Sequence, residues 1–238
     1  MLKLGNAPVS WGVDYADAPG NPPWQSVLDA IADARYSYTE LGPVGYYPTE
    51  PQALRDAFAS RGLTVQAGFV FQPLHEPSAR ADILATVHRT VDLLAAVGAT
   101  RLVTIDHISE PRMAVAGRRD LAPALPPAVR DHMVALIHEI ADIALAKGVL
   151  PVLHQHAGCW IEYEDELEDI AARLDPARVG LCIDTGHMRY AGIDPIAFYR
   201  RHADRVRYFH FKEVAPEVHA RVLRERIGFL PATSLGVF

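Results

Sequence analysis

Gly180-Leu-Cys-Ile-Asp-Thr-Gly-His187 and Val206-Arg-Tyr-Phe-His-Phe-Lys212 are the stretches from which the fold can be read. Each is a short apolar run, strand-like in composition. Each stops abruptly at groups able to bind a metal ion or move a proton: Asp184 and His187 in the first, His210 and Lys212 in the second. A helical pattern over residues 195–202 lies between them. Two strands joined through a helix are a parallel pair, so both place their polar ends at the same edge of the sheet, where α/β folds keep their active sites.

The same unit repeats toward the N-terminus. Apolar strand-like runs cover residues 3–11, 36–41, 63–71, 100–106 and 149–156, and amphipathic helical runs alternate with them. The first helix spans residues 24–34, with Val27, Leu28, Ile31 and Ala34 on one face. The second is expected to be capped by Thr49, with Pro51 in its first turn. Later helices are predicted over 78–97, 128–147, 164–174 and 216–226. The connection after Asp106 is long and proline-rich, as lids and substrate-binding loops are. Seven strands alternating with helices, with no change of composition between the halves, predict one α/β domain over residues 1–238. Its fold is a (β/α) TIM-type barrel that ends before the eighth βα unit. Without an eighth strand the first and seventh would carry unpaired edges. Leu230, Leu235, Val237 and Phe238 are the local candidates to cover them, and otherwise a second subunit must do so, so that a homo-oligomer is expected.

Composition limits the function. Half of the 238 residues are hydrophobic and 22% are charged, enough for a full core. The formal net charge of −6 and the lack of a basic patch argue against nucleic acid as a partner. No long apolar run or leader pattern suggests a membrane partner, and Cys159 and Cys182 form no disulfide framework, so a reduced, cytoplasmic protein is expected. No glycine-rich phosphate loop follows any strand.

The strand ends carry the candidate chemistry. Because side chains alternate, His154 and His156 are expected on one face, as are Cys182 and Asp184. With His210 they present nitrogen and carboxylate donors suited to a divalent ion, with room left for a chelating sugar oxygen. Asp184 ends a buried strand, where an unpaired carboxylate would be expensive to desolvate. Lys212 could polarise a carbonyl or hydroxyl. Glu40, ending the second strand, and Asp106, ending the fourth, are candidate bases, although an ion pair is an equal reading for Glu40. Trp11, Phe71 and Trp160 could wall a sugar ring, with core packing the competing reading for Phe71.

Asn6-Ala-Pro-Val-Ser-Trp-Gly12, Tyr38-Thr-Glu-Leu-Gly-Pro43, His154-Gln-His-Ala-Gly158, Cys182-Ile-Asp-Thr-Gly-His187 and His210-Phe-Lys212 together resemble the xylose isomerase-like TIM-barrel superfamily, and within it the inosose dehydratase branch. The resemblance implies a metal-dependent enzyme acting on a polyol ketone. Asp184 and His210 match two metal ligands of the superfamily, and His187 matches a histidine close to substrate or metal. The superfamily often places a glutamate on the fifth strand; here the strand ends in His154-Gln-His156, so either histidine could be the ligand. The expected set is therefore His156, Asp184 and His210 on the metal, Glu40, His187 and Lys212 in catalysis, and Trp11, Phe71, His154 and Trp160 on the substrate. The ion implied is Mn²⁺ or Co²⁺, with Zn²⁺, Fe²⁺ or Mg²⁺ as alternatives. The partner implied is a small keto-sugar or polyol. The reaction implied is dehydration of a keto-inositol or related keto-sugar through an enediolate, with isomerisation or epimerisation as the alternative. An apurinic-site endonuclease shares the fold but is opposed by the charge, and a non-catalytic barrel would hold no metal. The superfamily's last glutamate ligand lies on the eighth strand, so a metal site that is weak or empty is expected if that strand is missing.

Overall fold

The computed structural model describes residues 3–238. Its elements alternate in the expected order. They begin with β1 (Gly5–Asn6), α1 (Trp24–Asp33), β2 (Tyr38–Glu40), α2 (Pro51–Ala59), β3 (Thr64–Gln72), α3 (Arg80–Ala96) and β4 (Arg101–Asp106). A short α4 (Glu110–Met113) and long α5 (Pro127–Leu145) follow, then β5 (Leu150–His154), α6 (Glu164–Arg173) and β6 (Gly180–Asp184). After these come α7 (Thr185–Tyr190), α8 (Pro195–His202), β7 (Val206–His210), α9 (Pro216–Glu225) and α10 (Phe229–Ser234). The seven strands form one sheet in sequential order, and the pairs β1/β2, β2/β3, β5/β6 and β6/β7 are parallel. Sequential parallel strands with helical connections are the (β/α) TIM-type arrangement, carried here through its seventh strand, with no eighth among the described residues.

The chain divides into two compact units. One runs through Val70 and takes in Leu84–Val103 and Asp142–Pro151. Its core includes Leu28, Ile31, Leu54, Leu94 and Leu102, all fully buried. Burying each such side chain contributes about 1.5–3 kcal/mol. The other comprises Phe71–Ile83, Thr104–Ala141 and Val152–Phe238. Leu74, Ile83, Met133, Leu136 and Phe198 are among its buried residues.

Several boundaries differ from expectation for local reasons. The first strand is only two residues long; Pro8, which has no N–H for a ladder, opens a 3₁₀ turn over Pro8–Trp11 that closes at Gly12 with φ 77°. The cap of α2 is Glu50, not Thr49: its carboxylate accepts from the N–H of Ala53 at 2.7 Å. The fifth strand stops at His154, because the N–H of His156 turns to the carbonyl of Ile161. The final segment is helical, and its 3.6-residue period turns Phe229 and Ala232 inward while Leu230 stays exposed. Leu235 is exposed too, so neither leucine plugs anything. Val237 and Phe238 instead join a cluster with Ala116, Ala157, Tyr190 and Val222.

Between β6 and β7 the register shifts by one residue: Leu181 pairs with Val206, but Cys182 pairs with Tyr208 and Asp184 with His210. The extra residue, Arg207, lies over Gly180, where a β-carbon would come within 2.8 Å of its side chain.

Candidate active site

The C-terminal ends of β5, β6 and β7 bring four donors together within the second unit. Register pairs His154 with Cys182 and Asp184 with His210, so the alternation along each strand directs all four to one face. Nitrogen or sulfur atoms of His154, Cys182 and His210 lie within 4.8 Å of one another. His154, Cys182 and Asp184 are buried, while His210 is partly exposed.

Asp184 divides its two oxygens. Oδ1 accepts from the N–H of His187 at 2.9 Å and so caps α7. Oδ2 lies 3.4 Å from Nε2 of His154, 3.6 Å from Nζ of Lys212 and 3.7 Å from Nδ1 of His210. None of these donates a hydrogen bond to it, and Nδ1 of His154 is likewise buried without a hydrogen-bonding partner among the described residues. Burial pushes the Asp184 carboxyl upward, but His187, His154 and Lys212 more than offset this and hold it well below the usual carboxylate range. Burial lowers His154, which is therefore neutral. An ionised carboxylate and a neutral imidazole, each with an unused buried atom, are the donor states a divalent cation requires.

His187 and His156 stand beside this cluster. Nδ1 of His187 accepts from the N–H of Ala157 at 3.3 Å, and Nε2 lies 3.2 Å from Nζ of Lys212. Burial, with His156 and Lys212 nearby, holds His187 well below its ordinary value. His156 stacks on His187, with centroids 3.8 Å apart, and its Nδ1 bonds to the carbonyl of Ala157 at 2.8 Å. Burial pushes it down to about 3. Phe71 flanks His156 at 5.3 Å and His107 at 4.4 Å. The structure thus places His154, rather than His156, beside Asp184 and His210. The expected alternation does not reach His156, because the strand has already ended.

Lys212 is fixed from three sides. Asp184 and His187 meet its ammonium, and Gly186 makes room for its stem, since a β-carbon at Gly186 would lie 2.8–2.9 Å from three of its side-chain carbons. The Phe238 ring lies 5.2 Å from Nζ.

Other candidates lie elsewhere. Asp106 has both oxygens engaged: Oδ1 with the backbone N–H and Nδ1 of His75, at 3.2 and 2.7 Å, and Oδ2 with the N–H of Trp160 at 3.1 Å. This carboxylate ties loops together, with a hydrogen bond at each oxygen. The Trp160 ring packs on the Arg112 guanidinium at 5.5 Å and on His75 at 6.2 Å, apart from the histidine cluster. Trp11, at the end of the 3₁₀ turn, and Glu40, buried at the end of β2, belong to the first unit.

Sequence reading missed a buried charge network below the site loops. Arg112 donates to both oxygens of Glu166 at 2.7 Å and to the carbonyl of Pro123 at 2.8 Å, and it stands 3.8 Å from Glu162. Glu162 accepts from the N–H groups of Gly117 and Gly158; burial pushes its carboxyl up to about 7, against those bonds and Arg112. The network fixes the 107–127 connection to the loop after β5. Its partners lie far apart in sequence, and no local pattern marks them.

Parallel strands ending in a histidine and aspartate donor cluster define a (β/α)-barrel protein with a metal-type site at the strand ends. The family model described as "Xylose isomerase-like TIM barrel" matches residues 28–229, and the chain belongs to that family. An inosose dehydratase of Geobacillus thermodenitrificans (strain NG80-2) is 29% identical over 247 residues, covering all of this chain and 79% of the relative. Among solved structures, the IOLI protein with a bound zinc atom superposes with a TM-score of 0.68 at 14% identity, covering 89% of this chain and 73% of that one. The probable 3-DHS dehydratase AsbF of Bacillus anthracis gives a TM-score of 0.71 at 12% identity, covering 93% and 77%.

Proposed function

We propose that the chain is a metal-dependent lyase that removes water from a keto-inositol or a related keto-sugar. The observation that carries this is the set of buried, unsatisfied donors around Asp184, in a chain similar over its whole length to inosose dehydratases. His154, Asp184 and His210 would hold a divalent ion, which when bound polarises the ketone and stabilises the enediolate.

The chain's own groups do the rest. Lys212, held between Asp184 and His187, offers a positive donor to a substrate oxygen. A carboxylate or imidazole base takes the proton α to the ketone, and the electron pair of the broken C–H bond is left in the enediolate. Its electron pair then expels the neighbouring hydroxyl, which leaves as water once protonated, and Lys212 is the donor placed for that step. His187 is fully enclosed and acts by positioning Lys212. Phe71 and His156 give this side of the site an aromatic wall.

The test is a screen of keto-inositols and ketoses with added divalent ion. Enone absorbance follows dehydration, and product analysis follows isomerisation or epimerisation. Asp184→Asn and His210→Ala should each lose bound metal and turnover while remaining folded. Full metal content and turnover in either variant refutes the assignment. An epimerised ketose without an enone replaces the dehydratase reading with the epimerase one.

A further inference from the structure

We infer that Cys182 is a ligand of the same ion, so that the site is a thiolate centre selecting Zn²⁺ or Co²⁺ over Mg²⁺ and Mn²⁺. This rests on the metal-dependent reading above and adds to it a sulfur donor and an ion class. Cys182 is 2% exposed and pairs in register with His154, and its Sγ belongs to the group of donor atoms that lie within 4.8 Å of one another. Asp184 follows it on the same face of β6, with Oδ2 aimed at the same two histidines and accepting no hydrogen bond.

The dimensions fit. A tetrahedral ion with metal–nitrogen bonds of about 2.0–2.1 Å and a metal–sulfur bond of about 2.3 Å spaces its donors by roughly 3.5 Å. The observed cluster is therefore looser by about 1 Å, which small side-chain rotations on three adjacent strands can close. Two imidazoles, a thiolate and a carboxylate are the mixed donor set of a borderline-soft ion, which would expand to five-coordinate to admit the ketone oxygen, whereas Mg²⁺ and Mn²⁺ favour oxygen. On binding, the S–H bond of Cys182 breaks, its proton leaves to solvent and the sulfur lone pair bonds the ion; no oxidation or reduction takes place. Cys159 donates to the carbonyl of Asp106 at 2.9 Å and has no part in the cluster.

The experiment is a Co²⁺ titration of the metal-free protein, followed in the near ultraviolet for thiolate-to-cobalt charge transfer and in the visible for ligand-field bands. The wild type and Cys159→Ser should show the charge-transfer band. Cys182→Ser should lose it and bind Zn²⁺ at least about tenfold more weakly, the minimum seen even for groups that act through a ligand. X-ray absorption of the wild-type zinc form should show a sulfur neighbour at about 2.3 Å, a readout that needs no variant to fold. Co²⁺ bound with ligand-field bands but no charge transfer, and zinc with no sulfur neighbour, would overturn the inference and leave the metal-dependent reading standing. Failure of the wild type to bind Co²⁺ or Zn²⁺ at all would overturn both.

Discussion

Replacing Arg112 with methionine is a test of the charge network that anchors the site loops. Arg112 is fully buried, donates two bonds of 2.7 Å to Glu166 and stacks on Trp160 and Tyr163 at 5.5 and 5.1 Å. Methionine fills most of its volume but leaves the carboxylates of Glu162 and Glu166 without a cation. Breaking a buried ion pair from one side costs about 3–5 kcal/mol. In a chain of this size that is a fall in Tm of about 6–20 °C. The loss should depend on pH in a definite direction. A buried carboxyl without its counter-charge has a folded pKa raised above its unfolded value. Its penalty is therefore absent below the unfolded value and grows as pH rises from there to the folded one. Glu162, already pushed up to about 7 with Arg112 in place, rises further without it. Thermal melts should show a larger deficit near pH 8 than near pH 5. A deficit under about 1 kcal/mol, or one that shrinks at higher pH, would show that the pair does not stabilise the fold in this way.

Gly186→Ala should displace Lys212, whose side chain occupies the β-carbon position. Turnover should fall by about tenfold or more, and Tm should fall with it because the nearest atom, Cβ of Lys212, moves only with its backbone; unchanged kinetics would mean Lys212 needs no fixed place. Glu40→Gln should lower turnover far more than metal content if Glu40 removes the substrate proton, whereas equal loss of both would make it a ligand. Burial lowers His75, but its bond to Asp106 more than offsets this and raises it above its ordinary value. A raised histidine stabilises fully below its unfolded value of about 6.5 and loses that contribution as pH rises through the folded one. His75→Gln should therefore destabilise more near pH 5.5 than near pH 8.5, and the ring proton resonances of His75 should titrate above 6.5.

The fold was legible because its signal is periodic. Apolar runs stopping at Asp106, Asp184 and His210 gave strands ending within a residue or two of those found. Periodicity failed where elements are too short to show it: α4 has four residues, and α7 begins with Thr185 and Gly186, both poor helix formers held in place by the Asp184 cap. It also failed at His156, where alternation was carried past the end of a strand that stops at His154. Asp184, His210 and Lys212 were visible as polar residues closing apolar strands. Cys182 was placed on the correct face, but a lone cysteine in a strand reads as core, and only the pairing with His154 shows its company. The Arg112–Glu166 pair spans the loops after two different strands and had no local trace.

The one-residue offset between β6 and β7 bears on how this chain can vary. Because Arg207 is the unmatched residue, His210 comes opposite Asp184 and Lys212 follows on the same side. Losing Arg207 would remove the bulge and leave Val206 opposite Leu181 and His210 opposite Asp184, whereas a residue gained directly after Tyr208 would bring Phe209 opposite Asp184 and turn His210 and Lys212 away. Descendants of this sequence can thus lose the codon for Arg207 and keep the donors in place, whereas a single-codon insertion directly after Tyr208 would exchange a polar wall for an aromatic one in one step. The spacing from Tyr208 to Lys212, more than the presence of Arg207, is the quantity this strand must keep.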